Sequence, residues 1–142
     1  PKFLFDALNI YRNNFQPSSQ LKEPYVIVGF NSYIADSFEE ANYLRSSSLK
    51  STINLRKGKT SKLPPPEENY EDKLSIEEKV IVSNLKVCTA IGDYIKVKEE
   101  IMKFLKMTKA DEIIFVSSIF DHYKRLNSYS LLSNIYQDIR DN

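Results

Sequence analysis

Three short apolar runs, each leading into a helical pattern, constrain this chain more than any other feature. They are Tyr25-Val26-Ile27-Val28-Gly29-Phe30, Lys86-Val87-Cys88-Thr89-Ala90-Ile91 and Asp111 through Val116. Runs dominated by β-branched and aromatic residues suit strands of a parallel sheet, which are buried on both faces. The spacing predicts strands over 25–31, 86–91 and 111–117, the first able to continue through Asn31 to Ile34. It predicts helices over 2–15, 38–56, 76–84, 94–107 and 123–139. Helix and strand in alternation is the grammar of βα units, with parallel strands and right-handed crossovers. A Rossmann-like unit shares that grammar. Its fingerprint is missing, because the three glycines, Gly29, Gly58 and Gly92, are scattered one per segment.

The helix boundaries carry their own signals. Ser37 with Glu40, and Ser75 with Glu78, have the spacing of capping boxes. Asp93 and Asp121 stand where they would cap the helices that follow the second and third strands. On the first helix Leu4, Ala7, Leu8, Tyr11 and Phe15 share one face; on the second Ala41, Leu44, Ser48 and Leu55 do. Residues 59–74 break the pattern. Leu63-Pro64-Pro65-Pro66 lacks three backbone donors, and Glu67, Glu68, Glu71 and Asp72 follow, so an exposed excursion is expected within one domain over 1–142.

Composition excludes several classes of function. Twenty basic residues meet 19 acidic ones, and a net charge of +1 gives no global field for nucleic acid or anionic lipid. The local basic cluster Arg56, Lys57, Lys59 and Lys62 has no interleaved aromatic residues on which bases could stack. Gly58-Lys59-Thr60 resembles the end of a P-loop, but Ile53 stands where the motif needs its first Gly. No apolar run reaches the length of a membrane span and no signal peptide is seen. A single cysteine, Cys88, rules out an internal disulfide, and with a single histidine no all-protein zinc site is expected. A reducing, cytoplasmic setting fits. Cys88 reads as a small buried hydrophobe. The chain begins at Pro1 directly ahead of a helical pattern, as expected of a piece of something longer.

Three stretches go beyond grammar. Pro24 through Asn31 is followed by Ala35-Asp36-Ser37-Phe38-Glu39-Glu40-Ala41. Asn54-Leu55-Arg56-Lys57-Gly58 precedes Leu63-Pro64-Pro65-Pro66. Ala110-Asp111-Glu112 runs through Ile119-Phe120-Asp121-His122 to Arg125-Leu126 and Ser128-Tyr129. In that order, and with Ala7 through Arg12 and Phe15 through Ser18 ahead of them, they resemble the C-terminal part of the bacterial luciferase-like flavin-dependent monooxygenases. The resemblance implies a (β/α)8 TIM barrel whose strands six, seven and eight lie here. A whole barrel needs eight strands and about 250 residues, so this chain of 142 residues would be incomplete in isolation.

The resemblance also implies chemistry. The family uses reduced FMN, or in some branches a deazaflavin, to activate oxygen against a small organic substrate. The protein positions the flavin and shields it from water. Polar groups at the carboxyl ends of barrel strands face the ligand. The residues this places at the mouth are Asn31, Ser32, Gly92, Ser117, Ser118 and Phe120, as cofactor or substrate contacts, with His122 as a weak catalytic candidate. Phe120 would line an apolar wall, Ser117 or Ser118 would donate to a flavin or substrate oxygen, and His122 would supply a positive charge or a proton. The plainer reading of the same residues has Gly92 making a turn, Asp121 capping the last helix and His122 in its first turn. At the strand-seven junction relatives often read Gly, then Ser or Thr, then Pro and Glu; Gly92-Asp93-Tyr94-Ile95 departs from that. With five strands missing, the chain alone is expected to bind FMN weakly or not at all and to show no turnover. Its open inner face is expected to drive self-association, as a dimer or higher oligomer. The alternative is a non-catalytic remnant acting only in self-association or partner binding.

Overall fold

The computed structural model describes residues 3–141. The elements are α1 (Leu4–Asn14), β1 (Ile27–Ile34), α2 (Phe38–Arg56), α3 (Ile76–Ser83), β2 (Thr89–Gly92), α4 (Tyr94–Thr108), β3 (Glu112–Val116) and α5 (His122–Arg140). Single 3-10 turns occur at Tyr70–Lys73 and Lys86–Cys88. The three strands are parallel, as expected. The start expected for the first helix, Lys2, lies outside the described residues. The second strand is shorter than its apolar run. Lys86–Cys88 turns instead, because the Cys88 amide and the Thr89 hydroxyl both donate to the Leu85 carbonyl.

Strand order is β2-β1-β3, with the first strand in the middle. Successive barrel strands would neighbour as β1-β2-β3, so the expected numbering six, seven, eight does not describe this sheet. The two pairings are offset along β1. β3 pairs with Ile27 to Asn31, whereas β2 pairs only with Asn31 to Ile34. Alternation along β1 then assigns the faces. Val28, Phe30 and Ile34 join Ala90, Val97, Ile101, Phe104, Leu132 and Ile135 in the main core under α4 and α5, with Leu8 of α1 at its edge. Tyr33 packs instead with Ala41 and Leu44 of α2, and with Ala35, Ile91 and Ile119. Crossovers that run in opposite directions along a sheet place their helices on opposite faces when both have the usual right hand.

Below α2 the second face is bare: Ile27 is 51% exposed, Ile114 57% and Val116 43%. The excursion is less free than its composition suggests. Lys50 and Lys73 both bind the Glu67 carboxylate, at 2.9 and 2.7 Å, and the Glu67 amide donates to Ser46 Oγ at 2.7 Å. Arg45 holds Glu71, Lys57 holds Glu78, and Leu74 packs with Leu49, Ile53 and Val82. The Ser75–Glu78 box is complete. At α2, Ser37 accepts from the Glu40 amide as expected, but Glu40 turns back to the Asp36 amide and to Lys124, so the box is left open.

The Lys73 and Lys50 ammonium groups hold the Glu67 carboxyl below its ordinary range, and Lys57 with the Ser75 amide does the same to Glu78. A carboxylate whose folded pKa is depressed stabilises the fold at neutral pH, and that contribution is lost as pH falls through the folded value. Carboxyl-carbon NMR titration should therefore give midpoints below that of free glutamate for both, with the Glu67 amide resonance moving in step. Midpoints at the free value would show that the excursion is not anchored this way.

Candidate functional site

The carboxyl ends of β1, β2 and β3 gather most of the residues singled out from sequence. Ser32 is level with Ala90 on β2, and Ser117 follows directly on the Asn31–Val116 pair. The Ser117 hydroxyl donates to the Ser32 carbonyl at 2.7 Å and faces Ser128 Oγ at 3.3 Å. Its amide donates to the Tyr129 hydroxyl at 3.1 Å. Ser117, Ser32 and Ser128 are all buried, at 2%, 0% and 0% exposure. Ser117 is thus a clasp between β1, β3 and α5 rather than a donor facing an open mouth. Ser32 points its hydroxyl into the interior, where Oγ has no hydrogen-bond partner.

The other candidates divide in the same way. Asn31 directs its amide to the Cys88 carbonyl and the Thr89 hydroxyl, at 3.3 and 3.4 Å, bridging β1 to the start of β2. Gly92 has φ of +143°, and a Cβ there would come within 3.2 Å of Lys96, so the turn into α4 requires glycine. Asp93 caps α4 through the Lys96 amide at 2.9 Å, and Asp121 caps α5 through Lys124 at 2.8 Å. The plainer readings of the Gly92, Asp93 and Asp121 positions therefore describe the local geometry. Ser118 is half-buried, while Phe120 and His122 face solvent.

His122 opens α5 and is held by the next turn. Arg125 Nη2 lies 2.9 Å from His122 Nδ1, and Nη1 donates to the Ile119 carbonyl at 2.9 Å. Arginine can only donate, so Nδ1 is the acceptor and the imidazole proton sits on Nε2. The rim therefore presents a half-buried hydroxyl, an exposed phenyl ring and an oriented imidazole N–H. Arg125, Ser128 and Tyr129 belong to the stretches that carry the resemblance but not to the site candidates drawn from it. Their signal was their spacing from His122, at one and two turns, which puts them on the helix face that meets the strand ends.

Four clefts among the described residues, two of them beside α2 and the excursion, are lined by none of Asn31, Ser32, Gly92, Ser117, Ser118, Phe120 and His122. The same residues hold no cluster of three His, Cys, Asp or Glu suited to a metal ion. No helix among them is long and apolar enough to cross a membrane.

The two serines make a test of these placements. Ser117→Ala removes a buried bond and strands the Ser32 carbonyl, and is expected to cost about 1–3 kcal/mol. Ser32→Ala removes only an unpartnered hydroxyl and should be neutral or stabilising. Urea unfolding of the two variants checks the ordering. Equal losses would mean that Ser32 Oγ is bonded in solution.

Three comparisons place the chain among known proteins. No protein-family model matches it. Over 139 residues it is 37% identical to a protein of Escherichia coli (strain K12) called luciferase-like monooxygenase, taking in 98% of this chain and 42% of that protein. The protein YddN of Bacillus subtilis (strain 168) is 38% identical over 139 residues, 98% of this chain and 41% of its own length. Among solved structures, apo-MsnO8 matches with a TM-score of 0.82 at 24% identity, over 96% of this chain and 42% of the other. The chain spans less than half the length of these relatives.

Proposed function

We propose that this chain, a luciferase-like monooxygenase sequence matching the C-terminal portion of that family, supplies closing strands and part of the ligand-facing rim of a flavin-dependent oxidoreductase. In the complete protein, a (β/α)8 barrel, reduced FMN would supply the oxygen-activating chemistry, directed at a small organic substrate. The observation that carries this reading is 37% identity to a luciferase-like monooxygenase sustained over 139 residues. The geometry supports it in part. Ser118, Phe120 and His122 follow the carboxyl end of β3, the end from which barrel enzymes draw their site residues.

The residues present do not by themselves fit a flavin. Ser32 and Ser117 are sealed in the interior, and Phe120 and His122 stand on open surface. An isoalloxazine ring needs enclosing walls on both faces, and this chain offers one side of a rim. No catalytic step is therefore assigned to it alone.

Fluorescence titration of FMN tests the reading, with the E. coli relative as control. The isolated chain should show no saturation in the micromolar range and no monooxygenase turnover, whereas the full-length relative should saturate. Micromolar binding by the chain, lost on Ser118→Ala or His122→Ala, would show that it carries a flavin site of its own. A full-length relative that binds no flavin would remove the flavin from the proposal.

A further inference from the structure

Phe38, Asn42 and Arg45 fall at i, i+4 and i+7 on one face of α2. With β2, the excursion and the start of α4 they line an open cleft of about 470 Å³. That size suits a small molecule. Most of the charge on its walls is paired. Arg45 binds Glu71, and Lys96 binds Glu100 at 3.1 Å, while Lys86 and Asp72 are exposed and stand in no ion pair with the described residues. Arg45 is left with a donor to spare. Nη1 donates to Glu71 Oε1 and, at 3.5 Å, to Asn42 Oδ1, but Nη2 has no partner. A buried donor without an acceptor is costly, and arginine cannot escape by losing its proton. Its side chain is 3% exposed, so the acceptor it lacks has to come from the cleft it lines.

We infer that this cleft takes a small monocarboxylate with an apolar or aromatic body, its head seated on Arg45. A guanidinium offers its N–H groups in a planar fork that matches a carboxylate. Lys86 is a second positive donor on the lining, with no ion-pair partner to give up. The body has apolar surface to rest on. Ala90 and Ile91 of β2 line the same cleft, and so does the Phe38 ring, which is 56% exposed and free to stack on another ring. The ionic lining is Arg45, Lys86 and Lys96 against Glu71, Asp72 and Glu100, which sums to no net charge. A dianion such as phosphate therefore gains nothing overall, and the Asp72 carboxylate stands against a second negative charge. An amine would leave Nη2 without its acceptor. None of the residues at the strand ends takes part, so the flavin reading is neither used nor tested.

The experiment titrates the isotope-labelled chain with sodium benzoate and follows the Arg45 side-chain N–H signals by NMR. Expected is saturation in the millimolar range, with the Ala90 and Ile91 amides shifting in step. Benzyl alcohol keeps the body without the charge, and it and inorganic phosphate should each bind about tenfold or more weaker. Arg45→Met should weaken benzoate by about tenfold. Phe38→Ala should weaken it by about threefold. Circular dichroism checks that both variants fold, and Phe38, being exposed, can be changed without opening the core. Three results would each overturn the proposal. The first is no saturation with benzoate. The second is benzyl alcohol or phosphate binding as tightly as benzoate, which would make the cleft a general apolar or anion site. The third is benzoate binding that both variants leave unchanged, which would place it elsewhere on the chain.

Discussion

Phe104→Ala is expected to cost about 3–5 kcal/mol, the usual range for emptying a buried aromatic site. Phe104 is 2% exposed on α4, and its ring lies 4.5 Å from that of Phe30 in the central strand. Phe30 meets Phe115 of β3 edge-on at 6.0 Å. The three rings therefore bind α4, in the crossover that passes the central strand, to two of the three strands. Val97 and Ile101 flank Phe104 on the same helix face, at 0% and 2% exposure, so α4 cannot settle inward without moving two other filled sites. A domain of this size has about 5–15 kcal/mol of total stability. With part of one sheet face bare, this chain should lie toward the lower end, so the variant should retain about 2 kcal/mol or less. Urea unfolding followed by far-ultraviolet circular dichroism measures this, with Phe104→Leu as a milder control. A loss below about 1 kcal/mol would mean that the Phe30–Phe104 contact does not organise the core.

Local chemistry was legible in the sequence where one segment decides the outcome. Asp93, Ser75 and Asp121 cap the helices they were read to cap, because a cap depends on three or four successive residues. The parallel strands were legible for the same reason, each being a short apolar run ahead of a helix. Neighbour order was not. Whether β3 pairs with β2 or passes over to the far edge of β1 depends on which helix faces fill which side, and no local pattern holds that information. The face of α2 drifted likewise. Leu55, read onto one face with Ala41 and Leu44, is 63% exposed, while Leu49 and Ile53 meet Leu74 and Val82 instead. The packing partner there is the excursion, whose composition gave no sign that it folds back.

The mouth serines illustrate the harder limit. A serine at a strand end reads as a ligand contact or as a structural clasp with equal ease. Only the approach of Ser128 and Tyr129 from α5 shows that Ser117 is the clasp. The hydrophobic pattern of α5 locates its buried stripe, at Leu132 and Ile135, but not the polar pairs at its first turns.

The same asymmetry between position and partner governs Arg45. Its side chain is 3% exposed, whereas that of its partner Glu71 is 32% exposed. Nη1 donates to Glu71 Oε1 at 2.5 Å, and Nη2 has no partner. Removing either residue breaks the same pair with unequal consequences. Arg45→Met leaves a carboxylate that can turn to water, and the long apolar stem of methionine replaces most of the lost packing. Its cost should be about 1–2 kcal/mol, since a pair with one exposed member is worth little more. Glu71→Gln instead leaves a guanidinium buried without a counter-charge, and arginine cannot escape by losing its proton. That variant should lose about 3–5 kcal/mol. It should also loosen the turn at Tyr70–Lys73, since the Arg45–Glu71 pair is one of its ties to α2. The double variant should be more stable than Glu71→Gln alone, because removing the arginine removes the uncompensated charge. Urea unfolding of the three proteins gives the cycle directly. If Arg45→Met proves the more costly single change, or if the double variant is the least stable of the three, then Arg45 holds the helix through its packing and the ion pair with Glu71 is incidental.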